Sequence, residues 1–274
     1  MPDYGWRRED FQRMSDFTIT FLGTGTSVGV PMIGCDCEVC RSDDPRDVRY
    51  RSSIHVATPE ATWIVDTGPE LRLQCIRAGI ADVDAVIYTH AHMDHVVGFD
   101  DLRRFSVGED ATIDIYGTGS CLADLMRMFA FAFDGTNRFP GYIKPEPYRI
   151  EGAFEIGATR IVPLPVTHGR LETIGFLFER GGRKIAAYLP DCKTVSEEAT
   201  EELRGVETLI VDGLRLTEHP THMNFSEACA FAGKVAAGET WLTHIAHEIS
   251  HAREEPGLPE GVRIAYDGLV LALG

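Results

Sequence analysis

Four side chains of the types that bind metal ions lie within Thr-His-Ala-His-Met-Asp-His at residues 89–95, and they are His90, His92, Asp94 and His95. Buried without a cation, these groups would make a poor core because each would need its own polar partner. A surface loop that is rich in histidine by chance is the alternative, and the H-x-H-x-D-H spacing argues against it. In an extended segment His90 and His92 share one face, whereas Asp94 and His95 lie beyond it and could turn to a second ion. The segment therefore predicts a site for two metal ions.

A second group of donors lies in Cys-Asp-Cys-Glu-Val-Cys at residues 35–40. The thiols of Cys35, Cys37 and Cys40 are close enough in sequence to bind one ion, and tetrahedral zinc would take a fourth nitrogen or sulfur ligand from elsewhere. A closed site of this kind is structural. Three unconnected reduced thiols are the alternative. Because the chain has seven cysteines with this crowding, metal binding in a reducing compartment fits better than a disulfide framework.

Both motifs resemble those of one family. The string H-x-H-x-D-H is similar to the signature of the metallo-β-lactamase superfamily, and C-x-C-x-x-C narrows the resemblance to PhnP-like phosphodiesterases of the phosphoribosyl cyclic phosphate type. The resemblance implies two divalent ions that share one bridging carboxylate. It assigns their ligands, in the family's order along the chain, to His90, His92 and His168 for one ion, to Asp94, His95 and His244 for the other, and to Asp191 for both.

The same resemblance implies roles for two further histidines. The general acid is assigned to His222, which lies in a short loop before a predicted helix, and imidazole titrates near neutral pH. His219, three residues earlier, is a competing candidate. The fourth ligand of the structural zinc is assigned to His247. If that segment is helical, His251 lies on the same side and is the fallback.

For two more polar residues, a structural role is the alternative to a role in the metal site. Asp66 precedes a predicted helix and could either cap it or support a metal-binding histidine from behind, and we favour the support. His55 lies inside a predicted strand at residues 53–58, and we interpret it as a core or face residue outside the site.

The strands of a predicted α/β fold position these donors. A mostly apolar strand at residues 83–88 precedes the first cluster, and a hairpin with Gly181-Gly182 at its turn leads to Asp191. Further strands end at His168 and His244. The resemblance implies a four-layer αβ/βα sandwich, in which two sheets pack face to face with helices outside. Residues 262–266 and 269–273 are expected to pair and close the sheet.

We expect residues 1–15 to form an N-terminal extension and residues 16–274 to form a single metallo-β-lactamase-like domain with the zinc loop at 34–40. Aromatic residues at 129–148 surround a loop rich in glycine and proline. That loop could cover the active site, line a subunit contact or pack in the core, and a homodimer is one arrangement left open.

The composition limits the partners of this protein. A net charge of −16 repels a long phosphate backbone and argues against an extended nucleic-acid footprint, although a small anion can still bind where cations dominate the local field. No apolar stretch approaches the length that spans a bilayer, and residues 1–16 lack the apolar region of a signal peptide. We therefore expect a cytoplasmic protein without a membrane partner.

These observations predict a dinuclear metal hydrolase. The resemblance implies that it cleaves small, and in particular cyclic, phosphodiesters with a hydroxide that bridges the two metal ions. Manganese, zinc and iron all accept these ligands, so the catalytic metals are left open, whereas the cysteine loop predicts one structural zinc. Two alternatives remain. One is a tRNA 3′-processing endonuclease, and the other is a non-catalytic accessory protein similar to PqqB.

Overall fold

The structure is a computed structural model, and it describes residues 16–108, 111–135, 139 and 141–274. The extension predicted at residues 1–15 lies outside the described residues. The chain divides into two compact units, each built from separate stretches of sequence. The expectation that residues 16–274 form a single domain stays a prediction.

The first unit comprises the chain up to Leu22 together with Ser53–Arg149 and Gly268–Gly274. Its strands are β1 (Phe17–Gly23), β2 (Ser53–Ala57), β3 (Thr62–Val65), β4 (Ala85–Ile87), β5 (Ile113–Gly117), β6 (Pro145–Arg149) and β15 (Val270–Leu273). They form a seven-stranded sheet in the order β15-β1-β2-β3-β4-β5-β6. Since β3, β4, β5 and β6 are parallel, their carboxyl ends lie along one edge.

Helices cover the apolar side chains of this sheet. They are α1 (Leu71–Ala78), α2 (Met93–Val96), α3 (Gly119–Met128) and α4 (Ala130–Phe133), with a 3-10 helix at Val97–Phe105. Phe99 is buried, and its ring stacks against Phe129 at 4.6 Å and Phe133 at 5.5 Å. These two rings of the aromatic segment therefore pack in the core, whereas Phe139 is 68% exposed.

The second unit comprises Gly23–Ser52 and Ile150–Asp267. Its strands are β7 (Phe154–Ile156), β8 (Thr159–His168), β9 (Leu171–Arg180), β10 (Arg183–Leu189), β11 (Thr194–Val195), β12 (Thr208–Asp212), β13 (Glu239–Thr243) and β14 (Val262–Ile264). The sheet order is β11-β8-β9-β10-β12-β13-β14, with β7 beside β8. Because β10, β12 and β13 are parallel, the residues that follow them emerge at one edge.

The helices of the second unit are α5 (Glu197–Leu203), α6 (Phe225–Val235) and α7 (His251–Glu254), with 3-10 turns at Val39–Arg41, Pro45–Asp47 and Glu255–Gly257. Asn224 begins α6 with a capping box, in which its side chain accepts the Glu227 N–H and the Glu227 carboxylate accepts the Asn224 N–H. Both units thus combine a mixed sheet with helices, and the predicted α/β class is confirmed.

The expected pairing of the last two strands is wrong. Although β14 and β15 follow each other in sequence, β14 pairs with β13 and β15 pairs with β1. The Asp267 carboxylate, which accepts the N–H groups of Thr24 and Tyr50, fixes the chain where it leaves the second unit. Alternation of apolar residues identified both strands, but it carries no information about which partner a strand chooses.

Candidate metal centres

The first cluster follows the short strand β4, which ends at Ile87. His92 begins α2, so that Asp94 and His95 lie in its single turn. His90 and His95 are buried, whereas His92 is exposed. The His90 Nε2 atom lies 2.9 Å from His92 Nδ1, and His95 Nε2 lies 3.3 Å from an Asp94 carboxylate oxygen. The structure therefore brings together the four donors that the sequence predicted, with nitrogen and oxygen atoms that suit a divalent cation.

Asp66 holds this cluster from behind. It follows β3 with a left-handed φ of 63°, and it is buried. Its carboxylate accepts the Thr89 N–H at 2.8 Å and the Thr89 hydroxyl at 2.7 Å, and it lies 2.8 Å from His95 Nδ1. With Nδ1 donating to this carboxylate, Nε2 of His95 is the nitrogen left for a cation. The contact between Asp66 and His95 that we favoured is observed. The N-cap position of α1 is taken by Glu70, whose side chain makes no capping hydrogen bond.

Asp191 lies between two imidazoles in the second unit. His168 ends β8, Asp191 follows β10 and His244 follows β13. One Asp191 carboxylate oxygen is 3.8 Å from His168 Nε2 and 3.4 Å from His244 Nε2, and all three side chains are buried. His168 Nδ1 lies 3.0 Å from the Thr221 carbonyl oxygen. That oxygen can only accept a hydrogen bond, so Nδ1 is the donor and Nε2 is the nitrogen that faces a cation. The geometry suits a carboxylate shared by two cations.

His222 lies against the same group. Its ring stacks on that of His244 at 4.6 Å and meets the His168 ring edge-on at 4.6 Å. His219 lies farther out and is only partly buried, and its Nδ1 accepts the Thr221 N–H at 3.3 Å. His222 is thus the better placed of the two candidates for a general acid.

Sequence reasoning missed Asp212, the last residue of β12. This aspartate is fully buried, and its carboxylate lies 2.7 Å from His222 Nδ1. Burial raises the pKa of Asp212 well above its ordinary value. The available signal was a single acidic residue at the end of Thr-Leu-Ile-Val-Asp, a strand whose other residues are all buried.

The cysteine loop forms a separate donor set within the second unit. Nδ1 of His247 lies 3.4 Å, 3.5 Å and 3.8 Å from the sulfur atoms of Cys35, Cys37 and Cys40. All four donor atoms lie within 4.8 Å of one another. Three sulfurs and one nitrogen suit tetrahedral zinc. His251, the fallback, instead pairs with Glu255 at 3.1 Å.

The thiols of this loop differ in their readiness to ionise. Hydrogen bonds from the Cys40 N–H and from His247 lower the pKa of Cys37 to about 6. Burial raises the pKa of Cys40 to about 11. A metal ion binds cysteine as the thiolate, and Cys37 loses its proton more readily than Cys40.

Similar proteins were found by family, by sequence and by structure. The family model of the beta-lactamase superfamily domain matches residues 62–245. The crystal structure of a new diphosphatase from the PhnP family superposes with a TM-score of 0.85 and 37% identity, over 93% of this chain and 96% of that one.

Among the helices of the described residues, none is long and apolar enough to cross a membrane.

Two curated proteins are also similar along most of the chain. An octanoyltransferase of Porphyromonas gingivalis is 34% identical over 90% of this chain, which spans half the length of that protein. A coenzyme PQQ synthesis protein B of Methylorubrum populi is 26% identical, over 93% of this chain and 99% of that protein.

Proposed function

We propose a function from the premise that this chain belongs to the beta-lactamase superfamily, where it is PhnP-like. On that premise the protein is a metal-dependent hydrolase that cleaves small phosphodiesters, cyclic ones included. The similarity to a diphosphatase of the PhnP family supports chemistry at phosphorus over chemistry at a carbonyl carbon.

The position of Asp191 carries the proposal. Its carboxylate oxygen lies within 4 Å of imidazole nitrogens that come from two different strand ends, β8 and β13. A buried carboxylate needs partners that compensate its charge, and it is the ligand that a pair of cations would share.

We assign the ligands as the resemblance orders them. His90, His92 and His168 would hold one divalent ion, Asp94, His95 and His244 would hold the second, and Asp191 would be common to both. When bound, such a pair lowers the pKa of a water molecule and neutralises charge on a phosphoryl oxygen. The chain's own contribution is to orient these nitrogens through Asp66 and the Thr221 carbonyl oxygen. His222 would donate the proton that the leaving oxygen needs.

A small anion fits this protein better than a polymer. The net charge of −16 opposes the approach of a long phosphate backbone, and binding of such a backbone would depend on many basic contacts. A five-membered cyclic phosphodiester carries one negative charge and is strained, so its opening needs less help from the protein.

Turnover by the purified full chain tests the proposal. After loading with zinc or manganese, the protein should hydrolyse bis(p-nitrophenyl) phosphate and at least one of a panel of small cyclic phosphodiesters and diphosphates. His90→Ala should reduce the rate to background. His55→Gln, which changes another histidine of the same unit, should not. No turnover on any of these substrates by the metal-loaded protein would refute the reaction class.

A second candidate is an accessory role in cofactor synthesis, which the similarity to a PQQ synthesis protein B over nearly its whole length favours. A binding protein of this kind would retain its metal ions and bind a small anion without turnover. A tRNA-processing endonuclease is the third class, and cleavage of a precursor tRNA in a salt-sensitive manner would identify it.

A further inference from the structure

Two tyrosines lie side by side on one face of the sheet in the first unit. Tyr116 of β5 is in register with Tyr148 of β6, and their rings stack at 4.9 Å with 18° between the ring planes. Tyr116 is half-buried, whereas Tyr148 is 45% exposed and belongs to the last strand of the described sheet. The stack therefore presents an aromatic surface to solvent at this end of the sheet.

The stack lies in the same row of the sheet as the end of β4, which leads to the first cluster. Ile87, the last residue of β4, is in register with Tyr116, and the Tyr88 N–H donates to the Tyr116 carbonyl oxygen at 2.9 Å. His90 follows three residues after Ile87. Because neighbouring strands are about 4.8 Å apart, Tyr148 on the second strand along lies about 10 Å from β4. A ligand that reaches from the cluster to the stack needs about the length of a nucleotide.

Carboxylates occupy the adjacent row on the same face. Asp114 and Glu146 are in register two residues before the tyrosines, and both are half-buried. Burial raises the pKa of Asp114, and the charges of Glu146 and Asp84 raise it further. A row of this kind repels a phosphate but accepts hydrogen bonds from N–H groups. It favours a ligand whose phosphate stays at the cluster and whose amino-bearing ring lies over the tyrosines.

The backbone of β6 is poorly suited to pair with a strand of another chain. Pro145 and Pro147 are two of its five residues, and proline has no N–H group to donate. The rings of the stack, and not the hydrogen-bonding edge of the strand, are then the part of β6 that offers binding energy to a ligand.

We propose that Tyr116 and Tyr148 form a platform on which a nucleobase of the substrate stacks while its phosphorus atom lies at the first cluster. This platform rests on the proposed function and narrows its substrates to diesters or diphosphates of nucleosides. Aromatic side chains bind bases of every sequence because each base has a flat face. The carboxylates beside the platform favour those bases that carry N–H donors.

Two diesters that share one leaving group test the platform. They are the p-nitrophenyl ester of adenosine 5′-monophosphate and methyl p-nitrophenyl phosphate, which has no base. With metal-loaded full chain, Tyr148→Leu should lower the ratio of kcat/KM for the adenosine ester to that for the methyl ester by about 10-fold. The change should lie in KM for the adenosine ester, because the platform binds a part of the substrate that does not react.

Two further variants serve as controls. Tyr148→Phe keeps the ring and should keep the ratio. Tyr142→Leu removes a tyrosine of the same unit that is 42% exposed and whose ring lies 6.3 Å from that of Phe139, and it should leave the ratio unchanged. An equal ratio in Tyr148→Leu and the unmodified protein would overturn the platform while leaving the proposed hydrolysis intact.

Binding to the unmodified protein covers the case in which Tyr148→Leu does not fold. In calorimetric titrations of the metal-loaded protein, adenosine 5′-monophosphate should bind about 10-fold more tightly than ribose 5-phosphate, which lacks the base. Equal affinities would refute the platform. If the protein hydrolysed neither ester but showed this preference, the platform would stand as a nucleotide-binding site and the proposed function would fall.

A second copy of this chain is the alternative occupant of the rings. Sedimentation of the unmodified protein and of Tyr148→Leu distinguishes the two cases. If Tyr148→Leu turned a dimer into a monomer without changing the ratio of the two esters, the rings would be a subunit contact, and the inference would be wrong.

Discussion

Two residues of the candidate centres have backbone conformations that L-amino acids rarely adopt. Asp66 has a φ of 63° and His244 a φ of 58°. A left-handed residue other than glycine costs about 1–2 kcal/mol. Each residue directly follows a strand, where the turn points its side chain into the cluster. Strain of this kind persists where surrounding contacts fix it, and it marks both positions as sites where orientation matters more than local stability.

Asp66→Asn should weaken cation binding at the first cluster. The amide keeps the shape and tolerates the left-handed conformation. However, three groups now point at the carboxylate, the Thr89 N–H, the Thr89 hydroxyl and His95 Nδ1, and an amide NH₂ cannot accept from any of them. We expect the affinity for the ion assigned to Asp94 and His95 to fall about 10- to 100-fold in calorimetric titrations. Asp84→Asn, an exposed aspartate that accepts the Thr62 N–H, is the control. Equal affinities in both variants would contradict this role.

The burial of His55 predicts that the free energy of unfolding depends on pH. Burial lowers the pKa of His55 to about 4 from its ordinary 6.5, and its Nε2 has no hydrogen-bond partner among the described residues. Since the folded state resists protonation, this contribution is complete above pH 6.5 and is lost as the pH falls from 6.5 towards 4. The free energy of unfolding should drop by at most about 3 kcal/mol over that window.

Urea unfolding at several pH values measures this effect. His55→Gln should flatten the dependence between pH 6.5 and 4. An unchanged slope in His55→Gln would show that other groups titrate there.

Residues could be predicted from sequence where their partners lie close in sequence. His90, His92, Asp94 and His95 crowd one segment, so chemistry alone identified them. His168, Asp191 and His244 are scattered and needed the family's order. Asp212 could not be found in either way, because its partner His222 lies ten residues away in an irregular loop. Only the fold places a strand end beside that loop.

His244 is followed by residues 245–251, a segment in which every second residue contacts an earlier part of the chain. Ile245 exchanges backbone hydrogen bonds with Thr24 and Thr26. His247 contacts the cysteine loop, the Ile249 carbonyl oxygen accepts a hydrogen bond from Arg49, and the His251 N–H donates to Asp47. All of these partners lie in residues 24–51. The cysteine loop is therefore one of four attachments that hold the chain just beyond a candidate ligand.

Cys35→Ser should loosen this segment as well as the zinc loop. We expect the loss of about one zinc ion per chain and a lower melting temperature, because structural zinc contributes directly to folding energy. Binding at the His244 ion should weaken too, since its supporting segment loses one attachment. Metal analysis by mass spectrometry and thermal unfolding would measure both.

The control for that experiment is Cys229→Ser, a partly buried cysteine of α6 outside the loop. It should retain the full metal content. If Cys35→Ser held as much zinc as the control, the four donors would not form a zinc site.

Elements were predictable where their signals are local. The capping box of α6 and the Gly181-Gly182 turn between β9 and β10 depend on neighbouring residues. The hairpin occurs where it was predicted, and α6 follows the loop of His222 as expected. The partners of β14 and β15 depend on contacts with strands far away in sequence, so the alternating pattern could not reveal them.

At the scale of the whole molecule, the two units alternate along the chain, and neither can be cut out as one continuous piece. The first unit needs β15, whose Leu271 pairs with Ile19 of β1. Composition and motifs predicted the α/β class, but they could not reveal this exchange of segments.

A charge placed on β15 tests whether the unit depends on its distant segment. Leu271 is buried and Ala272 is exposed. Leu271→Asp should lower the free energy of unfolding by about 3 kcal/mol, because it buries an unpaired carboxylate. Ala272→Asp should change it by no more than about 0.5 kcal/mol. Equal effects in urea unfolding would mean that β15 adds little to the unit.

The wide spacing of the zinc donors has a consequence during synthesis. His247 follows Cys40 by 207 residues. At roughly 5–20 residues per second, the nascent chain would leave the ribosome with three thiols that wait about 10–40 seconds for their nitrogen partner. For that interval the three thiols are open to oxidants and to competing soft metals. Correct loading of this protein therefore depends on how reducing and how zinc-rich its surroundings are while it is being made.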